Sequence, residues 1–250
     1  IDDGSDDLGK SVEQLRQMEA GGVSEAYLTS HYFRGHYHYP RQDYDAKLAT
    51  LREAAENSGL KIKLHSGFEV FVQPGIVEDI KEKKLTLGDS NYVLIESELN
   101  GLPSDFYQNV YPLLRAGFKP ILAHGERYVS IMKKPSKARE LNDRDIYIQT
   151  NAGALLGHYG EKVRQTAWIL IDNGWTHFIA SDDHVRTDYE AYFDASRLIT
   201  ERIDDTAAQL LCQGHPSAIA NHDKIPYKYV MVKHSHHRAH RRGLLEKIFG

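Results

Sequence analysis

A parallel β/α architecture, closed or nearly closed into a barrel, is what this 250-residue sequence predicts. Three observations carry that expectation. Short apolar runs alternate with segments of helical spacing. Glycines stand where those helices should stop. A histidine or an acidic residue follows nearly every apolar run, at the end where a parallel barrel gathers its chemistry.

The apolar runs mark strands at 25–30, 62–70, 92–97, 119–124, 146–151 and 177–182. Between them, Tyr44, Leu48, Leu51 and Ala55 fall on one helical face, as do Val163, Ala167 and Leu170, while Val12, Leu15 and Met18 mark a helix ahead of the first run. Gly59 and Gly174 are the expected helix stops. That first helix has no strand before it, so a first strand is expected to be missing from the chain as given. Residues 1–223 are expected to form one domain. Residues 224–250 read as a basic extension: an extended segment at 225–232, a His/Arg-rich stretch, and a short amphipathic end at 244–249.

Apolar residues make up 41% and charged residues 26% of the chain, the balance of a globular protein with a substantial core. No apolar run approaches the roughly 20 residues that span a bilayer, and no charged-then-apolar leader opens the sequence, so a cytoplasmic protein is expected. The single cysteine, Cys212, has no partner for an intramolecular disulfide. It is also no phosphatase nucleophile, because Ala218 stands where cysteine phosphatases need an arginine to hold the phosphoryl oxygens; a buried structural thiol is expected. Residues 224–250 carry seven Lys or Arg and one Glu, a net of +6, so with −4 overall the first 223 residues carry −10. An acidic body leaves nucleic-acid binding nowhere but the tail, and none is expected.

The residues after the apolar runs are His31, Glu69, Glu96, His124, and the pair Asp182 and His184. Imidazole nitrogens mixed with carboxylate oxygens suit Zn²⁺, Mn²⁺ or Fe²⁺ better than Ca²⁺. Two such ions about 3.5–4 Å apart can activate a water and steady the leaving oxygen in a phosphoryl displacement. Arg127 follows His124 closely, and its planar fork could hold two phosphoryl oxygens; the alternative is a surface ion pair with Glu126. Arg186 is a weaker candidate of the same kind. Asp3 is either an acid for the leaving group or a turn or helix-cap residue.

The segments Thr29-Ser-His-Tyr, Gly67-Phe-Glu-Val, Leu94-Ile-Glu, Ala123-His-Gly-Glu-Arg-Tyr, Gln149-Thr-Asn-Ala-Gly and Ile179-Ala-Ser-Asp-Asp-His resemble, in order and spacing, the PHP-type protein-tyrosine phosphatases of bacterial capsule and exopolysaccharide systems. PHP stands for polymerase and histidinol phosphatase. The resemblance implies a distorted (β/α)7-type, TIM-like barrel with a trinuclear metal centre, often manganese-loaded, with Fe²⁺ and Zn²⁺ as alternatives. It makes His31, Glu69, Glu96, His124, Asp182 and His184 ligands, gives Arg127 the phosphate, lets Arg186 assist, and places Asp3 near the reaction centre. The implied substrate is phosphotyrosine on the C-terminal tail of a tyrosine kinase that controls polysaccharide export. Two other functions fit the same residues: a small-molecule phosphoesterase of the histidinol-phosphatase type, and a metal-depleted, non-catalytic barrel.

The sequence departs from that family in three places. The family's His-x-His pair would precede residue 1. Gly125 is expected to loosen the loop carrying Arg127. Asp183 adds a negative charge between two expected ligands. In the tyrosine-rich loop from His31 to Pro40, aromatic faces could flank a phosphotyrosine ring while Arg34 attracts acidic residues, or the loop could pack on its own barrel; His36 and His38 are not assigned to metal. The tail's His234, His236, His237, His240, Arg238, Arg241 and Arg242 could touch an anionic membrane surface through 233–250, at the inner face of the membrane, or stay solvated. Homo-oligomers are compatible with the sequence.

Overall fold

Residues 3–37, 39–184 and 189–227 are described by the structure, a computed structural model. The chain runs α1 (Leu8–Ala20), β1 (Glu25–Tyr32), α2 (Arg41–Asn57), β2 (Lys63–Phe71), α3 (Ile76–Lys83), β3 (Tyr92–Glu96), α4 (Phe106–Arg115) and β4 (Lys119–Leu122). A 3-10 turn (Gly125–Arg127) leads to α5 (Val129–Lys133), α6 (Ser136–Asn142), β5 (Tyr147–Asn151), α7 (Ala152–Leu156), α8 (Glu161–Asp172) and β6 (Phe178–Ala180). Then come α9 (Glu190–Arg202), α10 (Asp205–Gln209), a π-helical turn (Leu210–Gly214) and α11 (His215–Ala220). Gly59 and Gly174 take positive φ, 77° and 69°, just beyond α2 and α8, where a left-handed residue ends a helix without a Cβ clash.

The six strands lie in sequence order in one sheet, every neighbouring pair parallel. Strands β3 and β5 are buried on both faces, which is why they read as nearly unbroken apolar runs. Their side chains alternate between two cores. Val93, Ile95, Leu122 and Ile148 join Phe68 and Val70 beneath the helices, whereas Tyr92, Leu94, Ile121 and Tyr147 fill the other face with Phe178, Ile219 and Ile225.

The sheet curls. In a flat sheet five inter-strand steps of about 4.8 Å would set the β1 and β6 edges about 24 Å apart. His184 lies four residues beyond Ala180, a reach of at most about 14 Å. The His31 and His184 rings, from the ends of the two edge strands, are only 6.0 Å apart, as in a sheet whose strand ends bend toward a common mouth. Helix α1 spans that closure: Gln14 donates to the Asp183 carboxylate, the Tyr189 amide donates to Gln17, and the Phe193 ring of α9 lies against Gly21. Among the described residues the sheet nonetheless stays open, since β1 bonds only β2 and β6 bonds only β5. The described residues thus form a curled, six-stranded half-barrel sheet whose two edges are bridged by helix and side chains.

The chain stays on the body through Tyr227. The Tyr147 hydroxyl donates to the Ile225 carbonyl at 2.6 Å, the Tyr92 hydroxyl donates to the Asp223 carbonyl at 3.1 Å, and Tyr227 stacks on Tyr147 at 4.5 Å. Cys212 is half-buried rather than fully buried, and burial pushes its thiol pKa up. Among the described residues no helix is long and apolar enough to cross a membrane. The tail segment 233–250 lies outside the described residues.

His177 at the head of β6 uses both ring nitrogens in its neutral form: Nδ1 accepts from the Ile148 amide at 3.1 Å, and Nε2 donates to the Tyr227 carbonyl at 2.5 Å. Burial holds its pKa down at about 4, against an ordinary 6.5. Between those values the unfolded chain binds a proton that the native one refuses. The contribution is therefore complete above pH 6.5 and is lost as pH falls to 4, by at most about 3 kcal/mol. Denaturant titrations at pH 7.5 and 5 should show a larger loss for the wild type than for His177→Gln; equal losses would contradict this account.

Candidate metal centre

Strand parity sets the first ligand candidates. Tyr27, Thr29 and His31 of β1, Gly67 and Glu69 of β2, Tyr92, Leu94 and Glu96 of β3, and Tyr147, Gln149 and Asn151 of β5 occupy alternate positions of one face. Within it, His31, Glu96 and Asn151 are the last residues of their strands toward the C-terminal ends, and Glu69 is followed on its face of β2 only by Phe71. His31 and Glu69 are register partners across β1 and β2, which brings them level. His124 and Asp182 follow their strands in the left-handed region, with φ of 36° and 49°. Such backbone is strained for a side-chain-bearing residue and turns the side chain away from simple alternation.

The structure brings the expected residues together in one chain of contacts. Asp3 sits between two imidazoles, 3.5 Å from His31 Nδ1 and 3.3 Å from His184 Nε2. Donor atoms of Asp3, His31 and His184 all lie within 4.8 Å of one another, and so do those of His31, Glu69 and Glu96. His124 Nε2 lies 2.8 Å from Glu69 Oε1. Asp182 Oδ2 accepts from the Asn151 side-chain Nδ2 at 2.5 Å and from Arg127 Nη1 at 3.4 Å. The cap role open to Asp3 belongs instead to Asp7, whose carboxylate accepts from the Lys10 amide at the start of α1. Arg186 lies outside the described residues.

The electrostatics are those of an anionic cavity suited to cations. Burial, followed by the charge of Glu69, pushes the Glu96 carboxyl up to about 7. Burial and Glu69 raise Asp182 as well. Glu69 feels the same burial, but the hydrogen bond with His124 and the nearby imidazoles outweigh it and hold its pKa down. His124 Nδ1 is buried without a hydrogen-bond partner. Imidazole and carboxylate donors with an unused buried nitrogen fit a divalent transition-metal ion, and these residues could hold more than one.

Arg127 makes no surface pair with Glu126. The two side chains diverge: Glu126 is fully buried, accepts from the Asn151 amide at 3.2 Å, and is pushed up to about 7 by burial. Arg127 instead places its guanidinium over the Tyr159 ring, 4.9 Å from the centroid, and touches Asp182 through Nη1. Among the described residues Nε and Nη2 have no protein acceptor. Nor is the turn loose at Gly125, since a Cβ there would lie 2.6 Å from Ile148 Cγ2. The glycine serves close packing on β5, so the expectation of a loosened loop is corrected. Asp183 likewise leaves the site, its carboxylate turned to Gln14 of α1.

The tyrosine-rich loop divides. Phe33 stacks on Phe71 at 4.1 Å, and Arg34 binds Asp79 at 2.5 Å and the carbonyls of Pro74 and Gly75 at 2.8 and 2.7 Å, so Arg34 ties this loop to β2–α3. Tyr37 remains exposed, its ring 5.3 Å from that of His31. His38 lies outside the described residues. Sequence reasoning gave no role to Asn151, Tyr128 or Tyr159. The parity of β5 could have found Asn151. Tyr128 is buried against His124, its ring 5.9 Å away, and its hydroxyl accepts from the Ser97 amide just after Glu96. Tyr159 lies in a loop, where no periodicity points to it.

Imidazoles and carboxylates at the C-terminal rim of a curled parallel sheet, beside a stacked arginine, define a β/α protein with a candidate metal-dependent centre. The chain belongs to the CpsB/CapC family of capsular polysaccharide synthesis, whose family model matches residues 1–221. It is 30% identical to the tyrosine-protein phosphatase YwqE of Bacillus subtilis (strain 168), over 74% of this chain and 73% of that one. It is 27% identical to the tyrosine-protein phosphatase CpsB of Streptococcus pneumoniae, over 74% and 78%. A chain from the crystal structures of YwqE and CpsB, described there as unique metal-dependent tyrosine phosphatases, superposes with a TM-score of 0.84 over 92% of this chain and 95% of that one. At 23% identity this is a likeness of fold.

Chelated protein should expose the strain at Glu96. Its folded pKa near 7 exceeds the ordinary 4.5, so the native state holds a proton that the unfolded chain has released between those values. Stability from this group is greatest at low pH and falls as pH rises through 7, on the order of 1–3 kcal/mol. Thermal unfolding of chelated wild type should worsen from pH 6 to 8, more than in Glu96→Gln, and Mn²⁺ at pH 8 should restore it. Parallel pH profiles for both proteins would be inconsistent with this.

Proposed function

We propose that this chain is a metal-dependent protein-tyrosine phosphatase whose substrate is phosphotyrosine on the tail of a kinase controlling polysaccharide export. The observation that carries the reading is the gathering of His31, Glu69, Glu96, His124, Asp182 and His184 at one mouth, beside Arg127. Membership of a family with curated tyrosine-protein phosphatases supports it. The curl of the sheet supports the finer assignment to a distorted PHP-type barrel. The mixed donor set suits Mn²⁺, Fe²⁺ and Zn²⁺ alike, and the family resemblance leads us to assign Mn²⁺ first. We place its action in the cytoplasm, at the inner face of the membrane where the basic tail would meet anionic lipid.

In this reading the six residues are ligands and Asp3 joins His31 and His184 among them. Divalent ions held there supply Lewis acidity and a water made nucleophilic near neutral pH. Arg127 offers Nε and Nη2 to two phosphoryl oxygens, while Asp182 steadies its Nη1 and Asn151 steadies Asp182. A tyrosine phenolate, with a pKa of about 10, leaves far more readily than a serine alkoxide. That lessens the need for a separate general acid and frees Asp3 from the role.

Chelation should abolish hydrolysis of a phosphotyrosine peptide, and Mn²⁺ should restore it. His124→Ala should lose bound metal and at least about 100-fold in kcat. Arg127→Lys, which keeps the charge but loses the fork, should act mainly on KM. Unchanged metal content and rate in His124→Ala would refute the assignment. A higher kcat/KM for histidinol phosphate than for the peptide would redirect it to small-molecule hydrolysis.

A further inference from the structure

Arg127 has two anchors, and the ionic one is weak. Its Nη1 contact with Asp182 is 3.4 Å, well beyond the roughly 2.7–2.9 Å of a strong charge-assisted bond. The other anchor is the Tyr159 ring, 4.9 Å from the guanidinium carbon. That ring is itself seated. A Cβ on Gly153 of α7 would lie 3.3 Å from Tyr159 Cε2, so the absent side chain lets the ring lie close to the helix. Tyr159 is 39% exposed, and its hydroxyl also hydrogen-bonds the Asn151 side chain. An exposed ring beneath a cation, against a glycine, holds a long and otherwise mobile side chain in one orientation.

We propose that Tyr159 is the positioning residue that orders Arg127 for two-pronged binding of a phosphoryl group. The proposal rests on the phosphatase reading for its substrate, but the role itself is binding of an oxyanion. A flexible arginine must be ordered when phosphate arrives, and that ordering weakens binding; a guanidinium already lying on an aromatic face avoids it. The contribution is present in the ground state and the transition state alike, so it belongs in KM rather than kcat.

Isothermal titration of inorganic phosphate into the manganese-loaded protein, combined with phosphotyrosine-peptide kinetics and metal analysis, tests this. Tyr159→Leu should raise both the phosphate Kd and the peptide KM roughly tenfold, with kcat within about twofold and manganese at the wild-type level. Tyr159→Phe keeps the ring and loses only the hydroxyl's hydrogen bond with Asn151; if the ring is what orders Arg127, it should stay within about threefold of wild type in phosphate Kd and peptide KM, well short of Tyr159→Leu. Gly153→Ala, whose Cβ would crowd both His158 and the ring, should weaken phosphate binding in the same direction as Tyr159→Leu. Wild-type phosphate affinity in Tyr159→Leu would overturn the proposal. So would equal damage in Tyr159→Phe, or loss of manganese from Tyr159→Leu, which would route the effect through Asp182. A wild-type protein inert toward the peptide would sink the phosphatase reading, while the phosphate titrations would still decide the role of Tyr159.

Discussion

Three carboxylates, Glu69, Glu96 and Asp182, line one mouth of the molecule, and like charges so placed resist ionising together unless cations join them. Burial raises Glu96 and Asp182, and the charge of Glu69, held ionised by its hydrogen bond with His124, raises them further. Arg127 is a fixed cation at the edge of the group, in contact with Asp182 alone. Mutual repulsion on this scale is a constraint on the fold, because apolar packing elsewhere must outweigh it whenever the centre is empty of metal. The same repulsion becomes affinity once divalent ions are present.

The remaining architecture brings those charges together. Two buried faces of a parallel sheet make the strands rigid, and period-two alternation then points His31, Glu69, Glu96 and Asn151 the same way. Curling converts a row of strand ends into a cluster. His124 and Asp182 enter it through left-handed backbone, a local cost tolerated where the surrounding turns are tightly packed, as Gly125 is against Ile148. Tyr128 ties the ends of β3 and β4 together from below, contacting His124 and the backbone next to Glu96.

Much of this was legible in the sequence. The run at 25–30 became Glu25–Tyr32, 92–97 became Tyr92–Glu96, and 119–124 became Lys119–Leu122, because buried parallel strands leave short apolar blocks between helical periods. What escaped depends on tertiary placement. Nothing local shows that Asp183 turns to Gln14, that Glu126 is buried while Arg127 is not, or that Arg34 is taken by Asp79 and two carbonyls. Gly125 was read as freedom when it is proximity, since a glycine required for close approach looks the same in sequence as one required for a positive φ. The degree of curl was illegible for a related reason: alternation predicts parallel strands, but how near the last comes to the first is decided by the sheet's curvature.

The account stands or falls on whether cations occupy the mouth of the sheet. Anomalous X-ray diffraction from manganese-soaked crystals tests it most directly. The expected result is anomalous peaks within about 2.0–2.3 Å of His31, Glu69, Glu96, His124, Asp182 and His184 donor atoms, lost after soaking in chelator. Ordered crystals with these side chains well defined, and no anomalous peak among them at saturating manganese, would contradict it.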